Sequence, residues 1–526
     1  MNKNKRYPAL FMAPGVLIYG VFFILPVLIG VWYSFTNWNF TRADFVGLMN
    51  YKNIISDPSI KRALLNTIIF TVVTTVGKVG LGLALAVFLN RKLHLRNYLR
   101  GISFFPAIIS TVAVGIVFTA ILHPYGLLNQ FFRALGLDFM AKNWLTDTKL
   151  ALLSVCGVEI WKWSGFNMVI ILAGLQAVPP EYQEAATIDG ANAWQRFWRV
   201  TFPLILPAFN NAFVNSLIGG LKVFDIIVAT TNGGPGVTTQ VMNTMIYRSF
   251  SFNMQGEANA GYVLLAVIVA LFAVSSYSII RKREVKKKWK SIAAELVALL
   301  VSAIFVVPIW MIFVNSLKDS KHANQLSLAL TGVNLKQAAQ NYAEVFRVSG
   351  LTTAYLNSTI ITVLSVALIV LTASMAAFII QRRKQKWVGR VNSLIILGMT
   401  MPGFTVPTYF LLKSLGLLHT YLGICLVYTA SFFPLAVFIF TGYFRSIPDE
   451  LDESALLDGC TPMQMYWKII LPLIKPVMVT VIIIAGMSIW NLLFANITLI
   501  SLPIIAIYCF LQKYIVSGMT AGAVKG

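Results

Sequence analysis

Long apolar runs alternate with short polar connectors along the whole chain. Runs at 10–34, 64–89, 102–122, 151–175, 204–230 and 258–280 come before a strongly basic stretch. Runs at 292–316, 354–380, 391–415, 421–444, 473–497 and a shorter one at 502–516 come after it. A helix needs about 20 apolar residues to cross a hydrocarbon layer about 30 Å thick. The pattern therefore predicts an all-α polytopic membrane protein of about twelve transmembrane helices, six in each half. The opening run is too long for the apolar region of a cleavable signal and reads as the first span. The closing run, 15 residues interrupted by Pro503, reaches only about 22 Å at about 1.5 Å per residue. It predicts a short, partly re-entrant final span.

Composition agrees with this class: of 526 residues, 57% are hydrophobic and 12% charged, with a mean hydropathy of +0.74. A net charge of +23 invites a nucleic-acid reading, but the placement of the charge removes it. Lys3, Lys5 and Arg6, then Arg91, Lys92, Arg96 and Arg100, then residues 281–290, then Arg382, Arg383, Lys384, Lys386 and Arg390 all fall at the N-terminus or in even-numbered connections. Short loops rich in Lys and Arg stay in the cytoplasm, so the N-terminus is expected inside. Four cysteines (Cys156, Cys425, Cys460 and Cys509) and four histidines are scattered without ligand spacing, so neither a disulfide framework nor a metal site is expected.

Two of the inward connectors are copies of one another. Residues 178–190 read Val-Pro-Pro-Glu-Tyr-Gln-Glu-Ala-Ala-Thr-Ile-Asp-Gly, and residues 447–459 read Ile-Pro-Asp-Glu-Leu-Asp-Glu-Ser-Ala-Leu-Leu-Asp-Gly, a constant offset of 269. Each makes local sense as a helix, a turn and a second helix. Proline ends the preceding span, and Glu181, Asp449 and Glu450 fall in a first turn, where the helix dipole favours negative charge. Gly190 and Gly459 are placed for a left-handed cap. Thr461-Pro462-Met463-Gln464, and Asn192 with Gln195, are capping boxes that open the second helix. Aromatic and basic residues on that helix (Phe197, Trp198, Arg199; Tyr466, Trp467, Lys468) suit a membrane interface.

The spacing Glu-Ala-Ala, three residues, Gly, nine residues, Ile-x-Leu-Pro resembles the loop signature of the membrane subunits of bacterial ABC importers. The first copy matches at Glu184, Ala185, Ala186 and Gly190, with 200–203 reading Val-Thr-Phe-Pro; the second has Ser454 for the middle alanine and matches Ile-Ile-Leu-Pro at 469–472 in full. An ordinary amphipathic connector is the bland alternative, and two copies weigh against it. The resemblance implies that the loops 178–207 and 447–476 dock two cytoplasmic ATPase subunits through Glu181, Glu184, Ala185, Ala186, Asp189 and Gly190, and through Glu450, Glu453, Ser454, Ala455, Asp458 and Gly459. It also implies an external solute-binding protein as partner.

Further landmarks repeat. Asn50-Tyr51 and Asn66-Thr67 return as Asn341-Tyr342 and Asn357-Ser358 at an offset of 291, so the halves are expected to be parallel repeats. The expected domains are 1–287 and 288–526, two permease subunits fused in one multi-pass chain of the cytoplasmic membrane. The Gly-Gly-Pro stretch at 233–235 and the closing residues 511–526 resemble segments of carbohydrate-type permeases. Between 497 and 502 an external loop is missing; by the resemblance it reaches toward the binding protein. No Gly-Lys-Ser/Thr phosphate loop occurs, and no cofactor is expected.

Charges at membrane depth are costly and face a bundle interior, where they either line a solute path or brace helices against one another. Glu159 and Lys162, flanked by Trp161 and Trp163, lie in the fourth span; Lys222 and Asp225 lie in the fifth. Trp490-Asn491 resembles the family's landmark in the corresponding span of the second half. Aromatics beside polar groups suit a sugar. The reading is thus a non-enzymatic permease for a sugar or oligosaccharide; glycerol phosphate is the alternative within the class. An ion-coupled secondary transporter using the four buried charges is the alternative outside it. A membrane enzyme is disfavoured, since no catalytic cluster is spaced for chemistry.

Overall fold

A computed structural model describes residues 7–39, 42–90, 96–176, 178–279, 351–401, 405–445 and 447–493, with isolated positions between 307 and 343. Among these residues the architecture is helical, and the β-contacts are two isolated bridges, Thr36 with Phe45 and Lys318 with Val333. Seven helices are long and apolar enough to span a membrane: Ala9–Tyr33, Pro58–Leu89, Ala151–Gln176, Ala193–Leu221, Gln255–Phe272, Thr352–Arg382 and Tyr421–Phe444. Two bent pairs, Tyr98–Ile108 with Thr111–Ile121 and Pro462–Leu473 with Lys475–Trp490, bring the total among the described residues to as many as nine if each pair is one span. The expected runs at 292–316 and 502–516 lie outside the described residues apart from isolated positions.

Three expected spans differ from the simple pattern, each for a local reason. The third is bent by 98°, because Ser110 has the extended angles φ −53° and ψ 138° and Pro106 interrupts the ladder before it. The fifth stops at Leu221, and 225–230 forms a separate short helix. Lys222 and Asp225 therefore do not share one helix. The run at 391–415 divides into Lys386–Thr400 and Thr405–Ser414.

The helices collect around two main apolar clusters, one per half, and each cluster borrows from the other half. Phe70, Val79, Phe104, Val155, Trp161 and Leu172 are packed with Ile483 and Trp490 from the second half. Reciprocally, Tyr7, Phe11, Tyr19, Phe22 and Val27 of the first span lie within the core built by Phe378, Phe433, Phe440, Tyr466 and Ile489. Tyr19 stacks on Phe433 with ring centres 5.7 Å apart and donates to the Leu394 carbonyl at 3.3 Å. One face of Ala9–Tyr33 is thus buried against the second half. A small apolar cavity marks the seam between halves, lined by Phe104, Phe166 and Val169 on one side and Thr480, Ile483 and Met487 on the other.

Candidate functional site

The two copied connectors fold into matching elbows. The first arm is Pro180–Ile188 in one copy and Glu450–Leu457 in the other. Each ends in a left-handed glycine, Gly190 at φ +74° and Gly459 at φ +78°. The Ala191 and Cys460 amides return to the Ala186 and Ala455 carbonyls at 2.9 and 3.0 Å, satisfying groups that the helix end leaves open. The second arm opens with the reciprocal capping boxes Asn192–Gln195 and Thr461–Gln464. It then passes through a π-helical turn, Phe197–Thr201 or Tyr466–Ile470, into the next span. The π turns are not visible in a period count.

One face of each first arm is anchored and the other is open. Ala186 and Ala455, equivalent positions, are the buried small residues that let the arm sit close to its neighbours. Glu181, Glu184, Ala185, Asp189 and Gly190 are exposed, as are Glu450, Glu453, Ser454, Asp458 and Gly459. Among these acids stands an apolar side chain that the sequence reading passed over. Ile188 is 87% exposed and its equivalent, Leu457, is 88% exposed; Tyr182 and Leu451, also 269 apart, are exposed as well. An apolar residue open at the same place in both copies is a signal that the alignment of the copies already contained.

The elbows differ in how they are held. In the first, the Gln183 amide donates to Thr201 Oγ1 at 2.6 Å, and Arg196 to Thr187 Oγ1 at 2.6 Å. In the second, a carboxylate stands where Gln183 does: Asp452 is fully buried, 2.7 Å from Arg382 Nε, and accepts from the Tyr7 hydroxyl at 2.9 Å.

The charged residues of the fourth and fifth spans separate into two groups. Glu159 pairs with Lys78 of Pro58–Leu89 at 3.4 Å, and Lys162 donates to the Ile109 carbonyl at 2.7 Å; all three side chains are buried within the first half. Trp161 packs on Phe118, ring centres 5.0 Å apart. Lys222 instead crosses to the second half and donates to the Met399 and Met401 carbonyls at 2.8 and 2.7 Å. These are the last carbonyls of Lys386–Thr400 and its flank, where a cation suits the helix dipole. Trp490 packs on Tyr355 with ring centres 5.7 Å apart, within the first half's core cluster. Asp225 opens the short helix 225–230, and Asn491 follows Trp490 near the end of Lys475–Leu493. The structure thus brings Lys222 and Trp490 to the seam and leaves Glu159 and Lys162 inside one half. Cys156, Cys425 and Cys460 are free thiols, and no metal-holding cluster occurs among the described residues.

The Gly-Gly-Pro stretch is tied to a landmark far away in sequence. Asn66 Nδ2 donates to the Thr238 and Gln240 carbonyls at 3.0 and 2.9 Å, and Thr67 Oγ1 accepts from the Met242 amide at 2.9 Å. Thr231, Thr238 and Thr239 hydroxyls close the loop internally.

Comparison with known proteins matches this arrangement to a family in both halves. The family model described as binding-protein-dependent transport system inner membrane component covers residues 78–284 and again 369–508. The chain is 35% identical over 288 residues to the multiple sugar-binding transport system permease protein MsmF of Streptococcus mutans, covering 54% of this chain and 98% of that one. It is 32% identical over 286 residues to the probable starch degradation products transport system permease protein AmyD of Thermoanaerobacterium thermosulfurigenes (54% and 97%). It is 31% identical over 285 residues to the sn-glycerol-3-phosphate transport system permease protein UgpA of Agrobacterium fabrum (53% and 96%). Each relative is matched almost whole by about half of this chain. The chain therefore belongs to the family of binding-protein-dependent transport system inner membrane components, and it carries the family's domain twice in a single multi-pass membrane polypeptide.

Proposed function

We propose that this chain is the fused transmembrane pair of an importer that moves a sugar or oligosaccharide across the cytoplasmic membrane. A solute-binding protein delivers the cargo outside, and two separate ATPase subunits grip the elbows inside. Residues 1–287 and 288–526 form the two permease units, and the N-terminus faces the cytoplasm with the elbows. The names of the sugar permeases among its relatives support the cargo class.

The observation that carries this reading is the paired exposure of Ile188 and Leu457 at 87% and 88%. Each is an apolar knob on a short acidic arm. Glu181, Glu184 and Asp189 surround the first, and Glu450, Glu453 and Asp458 the second. Such a surface fits a socket with an apolar floor and a basic rim. Two equal knobs fit two equal partners. When the partners close on ATP, they draw the elbows together and turn the bundle.

Lys222 and Trp490, at the seam, are proposed to border the solute path with their neighbours Asp225 and Asn491. Glu159, Trp161 and Lys162 are proposed to brace the first half, because each has its partner there. The test is the double substitution Glu184→Lys with Glu453→Lys. The ATPase subunits should no longer co-purify, and uptake should be lost. An ion-coupled transporter would keep its uptake in that variant and under ATP depletion, and either result refutes the proposal.

A further inference from the structure

Arg382 and Arg383 look like ordinary inner-face charges in the sequence, yet their side chains bind in two different directions. Arg382, at the end of Leu351–Arg382, lies 2.7 Å from Asp452 through Nε. It donates to the Ile447 carbonyl at 3.0 Å and also pairs with Asp449. It therefore holds the whole N-terminal end of the second elbow's first arm. Arg383 turns the other way and donates to the Tyr7 carbonyl at 2.6 Å. Tyr7 closes the circuit by donating its hydroxyl to Asp452 at 2.9 Å.

A second layer reinforces the first. Tyr466, on the elbow's second arm, is fully buried, shares a hydrogen bond of 2.7 Å with Ser374, and sits 5.9 Å from both Phe11 and Phe378 between ring centres. The first elbow has no such device in its sequence. Gln183 replaces Asp452 and Phe197 replaces Tyr466, so neither the buried carboxylate nor the hydroxyl is present.

We infer that Tyr7, Arg382 and Asp452 are positioning residues that join the second elbow, the end of Leu351–Arg382 and the first span of the chain into one rigid unit. A stroke delivered at the second elbow then carries the first span with it. Among the described residues, the polar ties of the first elbow, Gln183 to Thr201 and Arg196 to Thr187, stay within its own hairpin. The two inputs are mechanically unequal although their docking knobs are alike. This inference rests on the coupling role proposed above for the elbows.

The test uses the full chain with its ATPase subunits bound, in a cysteine-free background carrying spin labels. One labelled pair is Arg199 with Lys468, equivalent exposed positions on the two second arms. The other is Leu10, 77% exposed on the first span, with Lys468. ATP with vanadate should shift the Arg199–Lys468 separation and leave Leu10–Lys468 unchanged. Tyr7→Phe, a mild change that preserves the ring, and Asp452→Asn should each broaden the Leu10–Lys468 distribution. They should also speed amide exchange in 450–457 by about tenfold while leaving 180–188 unchanged. A Leu10–Lys468 separation that shifts as far as Arg199–Lys468 in the unsubstituted chain would overturn the inference, as would unaltered exchange in both variants. An Arg199–Lys468 pair that ignores ATP would overturn the coupling reading, and this inference with it.

Discussion

The amide of Asn66 lies 2.9 Å from the carbonyl oxygen of Gln240, 174 residues further along the chain. One side chain at the start of a membrane helix thus fixes the shape of the Gly-Gly-Pro loop, and the bond is buried. Asn66→Ala should leave the Thr238 and Gln240 carbonyls without this donor, at a cost of about 1–3 kcal/mol. Limited proteolysis should then cut within 231–241 well before the rest of the chain. A loop that stays resistant would show that its internal threonine bonds suffice.

Lys222 joins the halves through the end of Lys386–Thr400. Lys222→Ala removes a charged donor from two carbonyls and should lower stability by about 1.5–3 kcal/mol. Lys222→Arg should recover part of the loss. Thermal unfolding in detergent, followed by tryptophan fluorescence, distinguishes the three proteins; equal midpoints would refute the joining role.

Lys78 and Glu159 form a buried pair 3.4 Å apart. Breaking such a pair from one side leaves an uncompensated charge and should cost about 3–5 kcal/mol, whereas removing both partners should cost much less. Lys78→Met alone should therefore be worse than Lys78→Met with Glu159→Gln. A double-mutant cycle by denaturant unfolding measures the difference, and additivity would mean that the two groups do not interact.

Gly165 faces the Ser103 carbonyl so closely that a methyl group on its α-carbon would collide with backbone. Gly165→Ala should force 98–108 away from 151–176 and destabilise by about 1–3 kcal/mol or more. The readout is the yield of monodisperse protein and its unfolding midpoint. Gly157, on the same helix with open space around it, supplies the control: Gly157→Ala should be neutral or slightly stabilising.

Gly190 and Gly459 hold nearly the same positive φ. An alanine at either position should cost about 1–2 kcal/mol of local stability. Amide exchange in 185–191 and 454–460 should rise to a similar degree in the two variants. A large inequality would mean that tertiary contacts, rather than the cap, set the conformation.

What the chain revealed before folding was what depends on neighbouring residues. Proline, glycine and the Asn192–Gln195 and Thr461–Gln464 boxes lie within a few residues of the turns they make, so the elbows were legible almost to the residue. The unequal anchoring of those elbows was not. Arg382 satisfied the inside-positive pattern so well that nothing pointed to its role at Asp452. Lys222 and Asp225 were expected in one span, but the chain leaves the helix at Leu221. Asn66 was visible as a landmark only; its tie to 238–240 needs a fold to bring them together. Ile188 and Leu457 were legible in principle, since the repeat aligns them, yet single apolar residues on a polar arm carry no periodic signal.

The burial of Ala9–Tyr33 among residues from 361 to 489 bears on how the protein is born. The ribosome makes this helix more than three hundred residues before these partners in the second half. At about 5–20 residues per second, that interval is roughly tens of seconds. Throughout it, that segment has to remain in lipid with its aromatic flank unmatched, available to chaperones or to a wrong neighbour. Mutations that weaken the Tyr19–Phe433 contact are therefore expected to show first as failed biogenesis and reduced membrane abundance, ahead of any defect in protein that has already matured.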